Sequence, residues 1–445
     1  MKTSVNPSID YQHPEIILQQ LIRFNTTNPP GNEKACIEYI NQRLKASGFE
    51  PELIAKDPAR PNLIARLKGN NLAPPLLLYG HVDVVTTEKQ AWRHPPFEGK
   101  ISDGYVWGRG ALDMKGGVAM MLAALLRAKA ENLKPAGDIV FAALCDEEAG
   151  GDFGAKYLVT NYPELFSGIR FAIGEFGGCA THIGRQKFYP IQVAEKQACW
   201  METKIKGPGG HGAIPIKGSA MAKAAKLLNK LDRMHLPPHI TTVPEQMIHT
   251  IASTMPFAQS LILRQLLKPA LTSRILNLLG EKGNNFRPML YNTVNPTMIH
   301  GGEKINVIPS EIRIQLDGRL VPGFSPPDFI SELRRVVGKE VDFDIISHDP
   351  CPAQTDMGMF GLLSDIIREA DPEGIPMQML LPGVTDGRFF SRLNIQTYGF
   401  LPMNLSPDFN FFKTIHAADE RVPVNAIRFG ANTIYRLLER YGSFV

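Results

Sequence analysis

The chain has 445 residues, 44% of them hydrophobic and 21% charged, with 48 basic and 44 acidic side chains and a net charge of +4. That length is too great for one core, so two domains are expected. The charge is too even for a surface built to hold nucleic acid or a membrane, and the longest apolar run, Val118–Leu126, is far short of a membrane span.

The opening stretch MKTSVNPSIDYQHPE lacks the apolar core of a secretory signal. Cys36, Cys145, Cys179, Cys199 and Cys351 are scattered, with no CxxC spacing. Both features fit reduced thiols in a cytoplasmic protein.

Residues from about Pro14 to Gly48 read as two helices broken at Asn28-Pro29-Pro30-Gly31, and Asn62–Ala65 as a strand. Leu76–Tyr79 is a short apolar run closed by Gly80, the signature of a strand buried on both faces. His81 and Asp83 follow it. A loop rich in Gly and Pro, Trp92–Gly108, leads to Gly110–Gly117 and a helix through about Ala130. Ile139–Leu144 is a second apolar strand, followed by Cys145-Asp146-Glu147-Glu148. Phe171–Ile173 is a third, with Glu175 just beyond it. Strands alternating with helices predict an α/β domain, a doubly wound and mostly parallel sheet.

From about Lys196 the pattern changes. Cys199–Lys206, Tyr291–Ile299, Pro309–Leu320 and Val341–Ser347 read as strands, with helices at Gly218–Leu231 and Pro327–Val337. This β-α-β-β-α-β order predicts an inserted ferredoxin-like α+β domain. An extra Pro-rich and helical piece, about 237–282, interrupts it with apolar residues suited to cover a lid or a second subunit. The expected division is residues 1–195 with 349–445, and 196–348. No internal repeat is present.

Five groups fall at equivalent places. His81, Glu148 and Glu175 each follow the end of a predicted strand, Asp113 precedes a helix, and His416 lies in the loop before the final helix. Parallel strands present their carboxyl ends on one side of the sheet, where ligands collect. Two imidazoles and three carboxylates form an N/O donor set suited to Zn²⁺, with Mn²⁺ or Co²⁺ as alternatives. Two ions sharing Asp113 would use all five, since one carboxylate can bridge the gap of about 3.5–4 Å in two-metal hydrolytic sites. Asp83 is placed to accept the second N–H of His81 and fix its tautomer. Glu147 is placed to take a proton from water and return it to a leaving group. Taken alone, the acidic triplet 146–148 would be read as a solvated loop, and His81 with Asp83 as a satisfied buried pair.

The stretches GHVDVV (Gly80–Val85), WGRGALDMKGG (Trp107–Gly117), CDEEAGG (Cys145–Gly151) and GPGGHGAIP (Gly207–Pro215) together resemble the M20 family of metallopeptidases. That family includes glutamate carboxypeptidase, aminoacylase, succinyl-diaminopimelate desuccinylase and dipeptidases. The resemblance spans nearly the whole chain. It implies two zinc ions per chain, a discontinuous catalytic domain, and an inserted lid domain through which such enzymes often form homodimers. It also implies that His81 and Glu175 bind one ion, Glu148 and His416 the other, and Asp113 both, with Asp83 orienting His81 and Glu147 as general base. By the same resemblance His211 would reach the active site, in many relatives across a dimer, to stabilise the oxyanion. Asn306, Arg319 and Arg388 would contact substrate, arginine suiting a carboxylate because its fork donates two parallel hydrogen bonds. Read without it, His211 is a surface histidine, Asn306 a turn residue, and the arginines surface ion pairs.

Glutamate at position 175 is commoner among the family's carboxypeptidases and aminoacylases than its aminopeptidases. The expected substrate is therefore a small peptide or N-acyl amino acid, cleaved at an amide whose leaving group carries a free carboxylate. The rivals are an aminopeptidase or dipeptidase that recognises a free amine, and a non-catalytic dimeric binding protein on the same fold. Phosphoryl transfer is disfavoured because no GxxxxGK[ST] loop is present.

Overall fold

The computed structural model describes residues 11–233 and 235–443, so the leaderless reading of the first ten residues lies outside it. In chain order the strands β1 (Glu52–Ile54), β2 (Asn62–Leu67) and β3 (Leu76–His81) precede helix α1 (Lys115–Ala130). Next come β4 (Ile139–Leu144), β5 (Phe171–Gly174), β6 (Thr181–Ile183) and β7 (Gln186–Glu195). The chain continues with β8 (Gln197–Lys206), α2 (Ala220–Arg233), β9 (Thr293–His300), β10 (Glu311–Leu320), α3 (Pro326–Val337) and β11 (Asp344–Asp349). It closes with β12 (Gly374–Leu381), β13 (Gln396–Gly399) and α4 (Val424–Arg440).

The described residues fall into two compact units. One comprises the chain up to Val193, Asp356–Met379 and Thr385 onward; the other comprises Ala194–Thr355 with Leu380–Val384.

The first unit is built on a nine-stranded sheet in the order β1-β2-β4-β3-β5-β13-β7-β12, with β6 on β7. Its centre, β4-β3-β5-β13, is parallel. Every residue of β3, β4 and β5 is buried, which explains their unbroken apolar sequences. The expectation of a mostly parallel sheet is corrected at the margins. β2 runs antiparallel to β4, β1 to β2, β7 to β13 and β6 to β7, so the sheet is mixed. A strand's side-chain pattern reports which faces are covered, not which way its neighbour runs. Helix α1 is buried over nearly all its length and packs with α4. Gly80 lets it approach the sheet: a Cβ there would stand 2.6 Å from Met114 and 2.9 Å from Val118.

The second unit carries an antiparallel sheet in the order β9-β10-β8-β11. In its own strand order this is 2-3-1-4, a β-α-β-β-α-β sandwich. Strand β10 alternates in burial along its length, because one face is covered. Ile312, Ile314, Leu316 and Leu320 pack there with Leu227 and Leu231 of α2 and Phe329 and Leu333 of α3. Helix α3 opens with a capping box, Ser325 accepting from the Asp328 N–H and Asp328 from the Ser325 N–H. The extra segment folds as helices Thr242–Ser253, Phe257–Arg264 and Pro269–Leu279. Among the described residues no helix is long and apolar enough to cross a membrane.

Candidate metal centre

Parallel pairing sets His81 in register with Leu144 and brings the ends of β3, β4 and β5 to one edge of the sheet. His81 is the last residue of β3, Glu175 follows β5 directly, and Glu147 and Glu148 lie three and four residues beyond β4. Asp113 sits one residue before the N-cap of α1. The His416 loop is brought to it because Arg421–Pro423 pairs antiparallel with Tyr105–Trp107.

His81 Nε2 lies 3.2 Å from Asp113 Oδ1 and 3.3 Å from Glu175 Oε2. His416 Nε2 lies 3.1 Å from Asp113 Oδ2 and 3.4 Å from Glu148 Oε1. Each trio, His81-Asp113-Glu175 and Asp113-Glu148-His416, offers donor atoms all within 4.8 Å of one another, and Asp113 belongs to both through its two oxygens. With bonds of about 2.0–2.1 Å, tetrahedral geometry puts neighbouring ligand atoms roughly 3.3 Å apart, and the four contacts match that spacing. Glu148 Oε1 and Glu175 Oε1 are buried without a hydrogen bond among the described residues. The donor set and the stranded oxygens both fit a pair of divalent cations.

Nδ1 of His81 faces the Asp83 carbonyl oxygen at 3.1 Å and its Oδ1 at 3.4 Å. Donation there leaves Nε2 free to ligate. Burial opposes charge on His81, yet hydrogen bonds to Asp113, Asp83 and Glu175 hold its pKa well above the ordinary value. Asp113 and Glu148 raise His416 to about 10. Burial, and then Glu175, push the Glu147 carboxyl well up. A pocket this rich in carboxylates draws in positive charge, as protons or as cations.

Glu147 Oε1 stands 3.8 Å from Arg388 Nη1, which donates to the Thr385 carbonyl at 3.0 Å. His211, Asn306 and Arg319 belong to the second unit. There exposed His211 and its neighbour Gly210 pair with Val307–Ile308, and the Gly212 N–H donates to the Asn306 carbonyl at 2.8 Å. Arg319 forks onto Asp317 at 2.7 and 3.0 Å.

Several residues around the centre escape sequence reading. Glu420 Oε1 accepts from the backbone N–H groups of Leu112 and Asp113, and its Oε2 pairs with Arg109 at 2.6 Å. Asp386 is buried, with neither oxygen hydrogen-bonded among the described residues, and burial raises it to about 8. Both lie in stretches that drew attention for a neighbour, His416 and Arg388, and only their burial marks them.

The model of peptidase family M20/M25/M40 matches residues 77–440. The chain belongs to this family. Its sequence is 28% identical over 393 residues to a probable carboxypeptidase S-like protein of Dictyostelium discoideum, covering 82% of this chain and 71% of that one. It is 26% identical over 448 residues to aminoacylase-1 of Sus scrofa, covering 97% and 96%. A di-peptidase from Saccharomyces cerevisiae shares the fold, with a TM-score of 0.69 at 16% identity over 98% and 99% of the two chains. Family M20 enzymes are metal-dependent hydrolases, and this chain is a hydrolytic enzyme of that kind. This corrects the alternative of a non-catalytic binding protein on the same fold.

Proposed function

We propose that this enzyme cleaves the amide bond of small peptides or N-acyl amino acids at a pair of divalent cations, two Zn²⁺ per chain, with Mn²⁺ or Co²⁺ as substitutes. The observation that carries this reading is the sharing of Asp113 by two donor trios. His81 and Glu175 would hold one ion, Glu148 and His416 the other, and Asp113 both. Ions bound there would polarise the scissile carbonyl and make water nucleophilic near neutral pH.

The remaining work falls to the chain's own side chains. Glu147 acts as the carboxylate, made more basic by its burial; it takes the proton of the attacking water and returns it to the leaving nitrogen. Asp83 keeps His81 in the ligating tautomer. Arg388, beside Glu147, binds the free carboxylate of the leaving amino acid with its guanidinium fork. The second unit acts as a lid and as the surface of a homodimer. By the family resemblance His211 would donate to the developing oxyanion, where one donor is worth about 2.7–4 kcal/mol, and Asn306 and Arg319 would contact the substrate. The enzyme works in the cytoplasm.

The test is a panel of N-acyl amino acids and free dipeptides assayed with Zn²⁺, Mn²⁺ and Co²⁺, together with metal analysis. Turnover of N-acetylated substrates and two ions per chain are expected. Turnover restricted to substrates with a free amine would favour the dipeptidase reading, and protein that holds no ions after metal-replete expression would overturn both.

A further inference from the structure

Behind the ligating side chains lies a second layer of buried polar groups, of which only Asp83 has a role above. The Asp83 carboxylate is enclosed. Its Oδ1 accepts from the Glu147 backbone N–H at 3.1 Å, and its Oδ2 from the Glu148 N–H at 3.1 Å and from Asn28 Nδ2 at 2.8 Å. The same Asn28 nitrogen donates to Asp146 Oδ1 at 3.0 Å. An amide NH₂ has two hydrogens, so Asn28 gives one to each of two buried carboxylates. Asp146 also takes Arg60 Nη2 at 2.9 Å and the Phe153 N–H at 3.0 Å. Arg60 in turn grips Glu33 through Nε at 3.0 Å and Nη2 at 2.7 Å.

The backbone holding this amide is strapped in place. The Asn28 N–H donates to the Val84 carbonyl at 2.9 Å, the Val84 N–H to the Thr26 carbonyl at 3.1 Å, and the Thr26 hydroxyl to the Val82 carbonyl at 2.6 Å. Asp83 touches both trios, through the ring of His81 and the backbone of Glu148, so a shift of Asp83 displaces ligands of both.

We propose that Asn28 is a positioning residue of the metal centre. Its two N–H groups set Asp83 and Asp146 at a fixed separation, and through them align His81 with the Glu147–Glu148 loop. Arg60, held by Glu33, fixes the other side of Asp146. This rests on the two-cation reading above.

The experiment titrates Co²⁺ into the metal-stripped full-length protein, followed by visible absorption, for wild type, Asn28→Ala and the near-isosteric Asn28→Asp. Thermal unfolding of the metal-free forms serves as the folding control. Outer partners of metal ligands are worth about 10–100-fold in affinity, and losses of that size are expected in both variants. Asn28→Asp is the sharper arm. Added negative charge alone would tighten a cation, so weaker binding there is the mark of lost position. Should Asn28→Ala fail to fold, Asn28→Ser, which keeps one donor, carries the comparison with a smaller loss. Two Co²⁺ sites in wild type, with variant affinities within about twofold of it or tighter in Asn28→Asp, overturn the proposal alone; outer-partner effects are an order of magnitude larger. Fewer than two sites in wild type overturn the two-cation reading, and this proposal with it.

Discussion

Arg109 and Glu420, 311 positions apart in sequence, form a buried ion pair at 2.6 Å. The other Glu420 oxygen holds the backbone N–H groups of Leu112 and Asp113. Arg109 Nη2 donates to Gln90 Oε1 at 2.8 Å and to the His416 carbonyl at 3.2 Å. One pair therefore fixes both the turn carrying Asp113 and the loop carrying His416. Arg109→Ala leaves Glu420 buried and unpaired, a change that costs about 3–5 kcal/mol. Urea unfolding of the metal-free protein checks it, and Arg109→Met with Glu420→Leu should cost less than the two single changes summed.

Glu147→Gln keeps the size of the side chain but cannot carry the proton. Bound metal should stay at the wild-type level while kcat falls about 10²–10⁴-fold, the usual worth of a general base. A rate near wild type would refute the assignment.

Ligand removal separates shared from unshared positions. Asp113→Ala should abolish tight binding of both ions, whereas Glu175→Ala and His416→Ala should each leave about one per chain, as expected of a two-metal site. Metal analysis after exhaustive dialysis measures it. Loss of one ion from Asp113→Ala would mean that the carboxylate does not bridge.

Cation entry should release protons. His416 is raised to about 10 by Asp113 and Glu148, and His81 is raised as well, but only neutral imidazoles ligate. Affinity should therefore climb with pH until about 10, with one proton freed per imidazole near neutrality. Calorimetry in buffers of different ionisation heat reads this directly. In the metal-free protein the sign is opposite. Raised His416 stabilises the fold fully below 6.5, its ordinary value, and that contribution is lost as pH rises through about 10.

Asp386 gives a second pH signature. Burial lifts it from 3.8 to about 8, so folding takes up a proton throughout that window and stability drains away as pH rises across it. Asp386→Asn mimics the protonated acid. Its Tm should match wild type near pH 3.5 and exceed it by a widening margin up to pH 8. Equal Tm values at pH 8 would show that the carboxylate finds a partner when charged.

Residue type and local order were enough to place the ligand candidates. Unbroken apolar runs such as Leu76–Tyr79 and Ile139–Leu144 announce strands covered on both faces, and polar groups just beyond them announce a site. His81, Asp113, Glu148, Glu175 and His416 meet as that reasoning requires. The alternation in Glu311–Leu320 likewise shows through, because one-sided burial imposes a period of two.

Tertiary structure alone decided the rest. The antiparallel direction of β2 against β4 rests on backbone hydrogen bonds, which no side-chain pattern encodes. Asn28, Arg60, Arg109 and Glu420 are ordinary polar letters in the chain. What makes them structural is the absence of water around them, since a buried charge or amide must find its partner within the fold. Those partners lie up to 311 positions away, a distance that only the folded chain closes.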